Sequence, residues 1–247
     1  MAALDEAMER KVQFLVEWMK ERGAEARAKG AIFGVSGGID SALVLALAKR
    51  AWPQNCLGLV LPCHSLQEDV DDALDILKQY ECPYRVLDLS DTYETLLRSL
   101  PSEGPEECLR LARANLKPRL RMLTLYYHAN LLNYMVVGTG NRDEIYVGYS
   151  TKYGDGGVDI QPLGALTKGE VRELARYLGV PPRIVGKPPS AGLWEGQTDE
   201  EEMGITYRDI DAYLQGQEVP EEVRLKIERR HRTSEHKRRT PPIPEME

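Results

Sequence analysis

Apolar residues recur at helical spacing through Leu4, Met8, Val12, Leu15, Val16 and Met19, which predicts a helix over Leu4 to Arg27, closed by polar sequence at Lys29-Gly30. The period then shortens. Apolar runs of strand length follow at Ala31 to Phe33, Leu57 to Leu61, Tyr84 to Leu89 and Tyr134 to Gly138. Helical patterns separate them at Ala42 to Leu47, Glu68 to Gln79 and Glu106 to Asn130. Pro118 interrupts the last, which predicts two helices or one kinked helix. This alternation predicts an α/β fold around a parallel sheet with flanking helices, whose ligands sit at the carboxyl ends of the strands near the switch in strand order. Gly154 to Gly157, Pro181-Pro182 and Pro188-Pro189 mark loops, and the stretch from Pro188 to Glu202 is long and polar enough for a mobile lid.

Between the first strand and the helix after it lies Val35-Ser36-Gly37-Gly38-Ile39-Asp40-Ser41. Two glycines let backbone approach an anion, Ser36 and Ser41 add donors, and the helix N-terminus adds partial positive charge, so the loop reads as a phosphate cradle. It lacks the Gly-Lys-Ser/Thr ending of a Walker loop. It resembles instead the SGGxDS pyrophosphate loop of the ATP-pyrophosphatase enzymes, which implies that Asp40 holds Mg²⁺ beside a triphosphate. The simpler alternative is a Gly-Gly turn with Asp40 as helix cap, which does not require serine at both ends.

Composition narrows the partners. The 247 residues, 42% of them hydrophobic, suit one domain with one core. No apolar run approaches the roughly 20 residues of a membrane span, and Met1-Ala2-Ala3-Leu4-Asp5-Glu6 lacks the pattern of a signal peptide, so a soluble, cytoplasmic protein is expected. Cys56, Cys63, Cys82 and Cys108 form no CxxC pair, which argues against a zinc knuckle or dithiol centre; Cys63-His64 is expected to pack at the edge of a nucleotide site. The net charge of −7 disfavours a nucleic-acid binder, yet Arg229-Arg230-His231-Arg232 and His236-Lys237-Arg238-Arg239 make a basic tail. Most of it reads as a solvated helix face, with the end placed to close over an anionic ligand.

A second constellation follows the fourth strand, Gly138-Thr139-Gly140-Asn141-Arg142-Asp143-Glu144, where Glu144 offers another acidic arm toward a metal on Asp40. Gly148 to Leu163 then places Lys152 and Asp159 around glycine-rich turns, and Leu166-Thr167-Lys168 supplies another lysine of the kind that reaches phosphates.

These motifs, together with Asn115 to Met122, Lys187 to Trp194, Gly196 to Glu200 and His236 to Arg239, resemble ammonia-dependent NAD⁺ synthetases nearly end to end. The resemblance implies an adenine-nucleotide-hydrolase-like (Rossmann-like) fold in a single domain, residues 1–247, with 1–30 an N-terminal helix and 220–247 a basic helix and tail. It implies that Gly34, Val35, Ser36, Gly37, Gly38, Ile39, Asp40, Ser41, Thr139, Lys168 and Ser190 contact ATP, Lys168 and Asp40 acting in catalysis. It further implies that Asp40 and Glu144 bind Mg²⁺ and that Arg119, Lys152, Asp159, His236 and Lys237 contact deamido-NAD⁺. Ser190 stands where threonine is frequent, which keeps the hydroxyl. The implied reaction is amidation of deamido-NAD⁺ by ammonia at the expense of ATP, giving NAD⁺, AMP and PPi through an adenylate, in a homodimer. The synthetase pattern takes up the whole length, so ammonia is the expected donor, with a separate glutaminase as a compatible partner. A tRNA-thiolating enzyme with the same loop is disfavoured by the cysteine usage and acidic charge; a nucleotide-binding module without chemistry is disfavoured by the presence of Asp40, Glu144 and Lys168.

Overall fold

The computed structural model describes residues 2–190, 192, 196 and 198–245. Of the expected lid, Ala191, Leu193, Trp194, Glu195 and Gln197 lie outside the described residues. The chain opens with α1 (Ala2–Glu25), β1 (Gly30–Gly34), α2 (Ile39–Ala51), β2 (Cys56–Val60), α3 (Gln67–Gln79), β3 (Tyr84–Val86), α4 (Ser90–Arg98), α5 (Glu106–Leu132) and β4 (Tyr134–Val136). It continues through α6 (Arg142–Val147), α7 (Lys168–Tyr177), α8 (Pro182–Val185), α9 (Asp199–Met203), α10 (Tyr207–Leu214) and α11 (Glu221–Thr233) to a 3₁₀ turn at Glu235–Lys237.

Every strand pair is parallel, in the order β3-β2-β1-β4, with Gly34 opposite Leu59 and Ile32 opposite Val136. A parallel sheet is stable when both faces are covered, and the strand sequences meet that demand residue by residue. Ala31, Phe33, Val35, Cys56, Val60, Met135 and Val137 pack in one core with α1, α2, α3 and α7. Their alternates Ile32, Leu57, Leu59, Leu61 and Val136 form the other core with α4 and α5. Gly58 leaves room for the first core, since a Cβ there would stand 2.5 Å from the Leu77 side chain. A third apolar cluster, of Val147, Met203, Ile205, Tyr207, Ile210 and Ile227, ties α6, α9, α10 and α11 together.

The α/β parallel-sheet reading therefore holds, with shifts at the ends of elements. The strand expected over Tyr84 to Leu89 stops at Val86 as an assigned strand; Leu87 still donates to Val60 O, and Asp88 Oδ1 then accepts Ser90 N–H to start α4. The fourth strand ends at Val136, although Val137 continues it by donating to Ile32 O and by bridging Ile160. Of the two alternatives at Pro118, one helix is found, running 27 residues through the proline. The order of strands turns between β1 and β4. The Ser36 loop leaves β1 and the Thr139 segment leaves β4, so both open at that switch point.

Candidate active site

Gly37 holds the Ser36 loop in shape, with φ 81° and no room for a side chain, because a Cβ would lie 2.3 Å from the Asp69 carbonyl oxygen. Ser41 Oγ accepts Ser36 N–H at 3.2 Å and donates to Gly38 O at 2.9 Å, while Ser36 Oγ accepts Gly38 N–H at 3.3 Å. The loop is thus closed by its own two serines. Gly38 is the N-cap of α2, so Asp40 lies in the first turn rather than at the cap, and its carboxylate reaches across the switch point.

There it meets the second constellation. Asn141 caps α6 through reciprocal bonds with Glu144, and its side-chain amide donates to Asp40 Oδ1 at 3.0 Å. Thr167 caps α7 in the same way with Glu170, which sets Lys168 at the start of that helix. Lys168 Nζ stands 2.5 Å from Asp40 Oδ2 and 3.4 Å from Glu144 Oε1, and its side chain is only 2% exposed. Burial opposes its charge, but Asp40 and Glu144 outweigh burial and hold its pKa above the ordinary lysine value. Glu144 moves the other way: burial and the Asp40 carboxylate push it up to about 7, against the pull of Lys168. Asp143, fully buried, accepts Lys168 N–H and is pushed to about 8 by burial and by Asp211, which accepts the next amide, Gly169 N–H.

Beneath the cluster, the buried Tyr207 puts its ring 4.7 Å from Lys168 Nζ and its hydroxyl 3.1 Å from Glu144 Oε1 and 2.9 Å from Asp199 Oδ2. Tyr149 hydroxyl approaches Asp199 and Glu202 at 3.0 and 2.9 Å. Neither tyrosine has a local sequence signal. The cap at Asn141 did have one, the Asn-x-x-Glu spacing ahead of a short helix.

The cluster forms part of the wall of a cavity of about 700 Å³ that also takes in Gly34, Val35, Ser36, Gly38, Ile39 and Ser41, with Thr139 and Ser190. Arg119, Lys152, His236 and Lys237 line it too. Two anticipated residues stand apart from that wall. Gly37 turns against α3, and Asp159 accepts Val136 N–H at Oδ2 (2.8 Å) and the Tyr126 hydroxyl at Oδ1 (2.9 Å). Lys152 Nζ lies 3.4 Å from His236 Nδ1, and Lys237 Nζ donates to Gly148 O and Ser150 O at 2.7 and 2.5 Å. Asp155 lines the cavity and accepts Thr151 N–H. Cys63 is buried with its thiol pKa raised by burial, and His64 pairs with Glu94 at 2.9 Å. Much of the basic tail is spent inside the protein: Arg230 donates to Met203 O and Glu202 O, and Arg238 to Ile145 O and Tyr146 O.

A glycine-serine anion loop at the switch point of a parallel sheet, facing a buried lysine between two carboxylates, defines a nucleotide-binding α/β enzyme of the kind that handles phosphoanhydrides. The NAD synthase family model matches residues 11–241, and the chain belongs to that family. It is 52% identical over 236 residues to the NH(3)-dependent NAD(+) synthetase of Carboxydothermus hydrogenoformans, covering 96% of this chain and 97% of that one. Among solved structures it is similar to the NMN synthetase of Francisella tularensis, with TM-score 0.92 and 39% identity over 97% of this chain and 99% of the other. It is also similar to the NH3-dependent NAD synthetase of Campylobacter jejuni, with TM-score 0.79 and 26% identity over 96% and 99%.

Proposed function

We propose that the protein amidates deamido-NAD⁺ with ammonia at the expense of ATP, releasing NAD⁺, AMP and PPi. The observation that carries this is the convergence of the Ser36 loop, Asp40, Glu144 and Lys168 on one cavity that also presents Arg119, Lys152, His236 and Lys237. A carboxylate is a poor acyl donor because oxide would have to leave. Attack of the nicotinate carboxylate oxygen on the α-phosphorus forms a P–O bond and breaks the bond to PPi; ammonia then forms the C–N bond and AMP leaves with the oxygen. The Ser36-loop amides and Lys168 are placed to take up charge on the departing PPi. Arg119, Lys152, His236 and Lys237 hold the anionic dinucleotide, whereas Asp159 already orders β4 and Tyr126 behind the wall.

The residues fit Mg²⁺. Asp40 and Glu144 contact one ammonium with Asp199 nearby, and Glu144 is shifted upward first by burial and then by the Asp40 and Asp199 carboxylates. Asp40 and Glu144 would hold the ion, two carboxylates that leave its other positions to water and phosphate oxygens. When bound it supplies neutralisation of the triphosphate.

In this reading residues 1–247 act as one synthetase domain in the cytoplasm; among the described residues no helix is long and apolar enough to cross a membrane. Ammonia is the donor, as the names of the relatives support, and a separate glutaminase would deliver the same ammonia. The internal bonding of Arg230 and Arg238 speaks against a nucleic-acid patch. An apolar stripe on α5, Leu123, Tyr127 and Leu131 at 59%, 63% and 65% exposure, supports a homodimer.

The test is to incubate the pure protein with Mg-ATP, deamido-NAD⁺ and either ammonium or ammonia-free glutamine, following AMP and NAD⁺. Formation of both products with ammonium alone is expected; efficient use of glutamine would overturn the donor. The high similarity to an NMN synthetase structure favours one second reading, amidation of nicotinate mononucleotide. The ratio of kcat/KM for the dinucleotide and the mononucleotide decides between them.

A further inference from the structure

Arg121 lies on α5 two residues beyond Arg119 and lines the same cavity, yet nothing above gives it a ligand. Its Nε donates to Leu61 O at 3.0 Å and its Nη2 to Ser65 Oγ at 3.4 Å. Both acceptors are neutral. Among the described residues Arg121 makes no ion pair, and Nη1 has no protein acceptor. Several arginines elsewhere are neutralised at contact, Arg183 by Asp72 and Asp75, Arg224 by Glu221 and Glu228, Arg238 by Glu235, whereas Arg119 and Arg230 on the same wall, like Arg121, donate to neutral carbonyls. Asp155 acts on Arg121 through space, with one oxygen already held by Thr151 N–H. A partly buried guanidinium without a contacting carboxylate, on the wall of a cavity, is a receptor for an anion that the protein does not itself provide.

The place of the guanidinium identifies the anion. Val35, at the entry to the Ser36 loop, donates to Leu59 O at 2.8 Å, and Leu61 stands two residues further along the same segment. Arg121 is therefore fastened beside the phosphate loop, on its β2 side, while Lys168 and Glu144 lie on the β4 side. We propose that Arg121 binds the phosphate that stays with the adenosine, the α-phosphate of ATP and then the phosphate of AMP, an inference that rests on the ATP-using reading of the site. This phosphate loses its bond to PPi, gains one to the carboxylate oxygen and keeps that oxygen when the amide forms. It is anionic in ATP, adenylate and AMP. A cation on a fixed fork can therefore stay bound through both steps, whereas the groups facing PPi lose their partner after the first.

The experiment compares AMP with adenosine, which differ by this phosphate alone, by calorimetric titration of the full chain. Arg121→Gln keeps a donor for Leu61 O, and Arg121→Lys keeps the charge without the fork. The Gln variant is expected to bind AMP about tenfold or more weakly with adenosine changed less than twofold, the Lys variant falling between. Parallel loss of AMP and adenosine binding would make Arg121 a structural brace and overturn the proposal. Unchanged AMP binding with a raised KM for deamido-NAD⁺ would assign it to the other anion. A wild-type protein that binds no AMP would fail the ATP-using reading first, and this inference with it.

Discussion

Asp40 and Glu144 reach Lys168 from two different strand ends, and one ammonium cannot neutralise two carboxylates with Asp199 close behind. Asp40→Asn or Glu144→Gln removes one of those carboxylates while leaving hydrogen-bonding shape in place. PPi release should fall by at least ~100-fold with the circular dichroism of the fold unchanged. Near-normal turnover at saturating Mg²⁺ in a well-folded variant would remove both from the proposed ligand set. Tyr207 poses a subtler case, because its ring supports Lys168 while its hydroxyl stands between two acids. Tyr207→Phe keeps the ring and strips a donor from buried carboxylates, a loss worth about 1–3 kcal/mol. Thermal unfolding should register that loss, and ATP-dependent turnover should fall about tenfold as Glu144 loses its support; turnover at the wild-type rate would leave Tyr207 a packing residue.

The phosphate loop depends on a neighbouring helix, and that dependence is testable at the scale of elements. Asp69 O blocks any Cβ at Gly37 and the residue sits at φ 81°, so Gly37→Ala must displace α3 or the loop and hold a strained φ, costing about 1–3 kcal/mol. ATP affinity should drop accordingly. The helix α3 is itself tied to the segment after α8 by Lys187 with Asp69 and Asp72 at 2.7 and 2.8 Å, and to α8 itself by Arg183 with Asp72 at 2.8 Å. Burial would raise the Asp72 carboxyl, but Lys187 and Arg183 outweigh it and hold its pKa below the usual carboxylate value. A depressed folded pKa contributes stability above the unfolded value of about 4, and that contribution is lost as pH falls through the folded one. Asp72→Asn should thus lower the unfolding temperature at pH 7, by about 1–3 kcal/mol in stability since Arg183 is half exposed, and the gap should close below pH 3. A gap that stays constant with pH would mean that packing, not charge, is what Asp72 supplies. These elements differ in how far the sequence reveals them. The strands were legible because β1 and β2 are apolar on both faces, and the Ser36 loop because glycine and serine recur where an anion needs them. The five-residue α9, which brings Asp199 to the cluster, is too short for any periodicity, and Tyr207 reaches Glu144 across 63 residues through a tertiary contact that no local pattern encodes. Asp159 shows the opposite case, an acid suggestive in its glycine-rich setting whose oxygens accept Val136 N–H and the Tyr126 hydroxyl, contacts that no local pattern announces.

At the scale of the whole molecule, the site and the surface share one helix, for α5 carries Arg119 and Arg121 into the cavity and Leu123, Tyr127 and Leu131 at i, i+4 and i+8 outward. A dimer that covers the stripe should dissociate when Tyr127 and Leu131 are both changed to Glu, and sedimentation would read the change from two chains to one; an unchanged mass would place the interface elsewhere. The tail closes the same cavity from the far end of the chain. His236 is exposed beside Lys152, and Lys237 is held by Gly148 O and Ser150 O, so the pair sits on the wall next to Lys152 and the 148–150 turn. If these residues hold deamido-NAD⁺, replacing both with alanine should raise the KM for that substrate about tenfold while the KM for ATP moves less than twofold. Lys237 also braces the turn at 148–150, and His236→Ala alone, which spares that brace, should show the same selectivity to a smaller degree. An RNA-binding tail makes the opposite demand: the double variant would keep its amidation kinetics and lose salt-sensitive RNA affinity, with a slope smaller by roughly one per lost phosphate contact. Kinetics unchanged in both variants, together with weakened RNA binding, would detach the tail from the substrate and return it to a surface role.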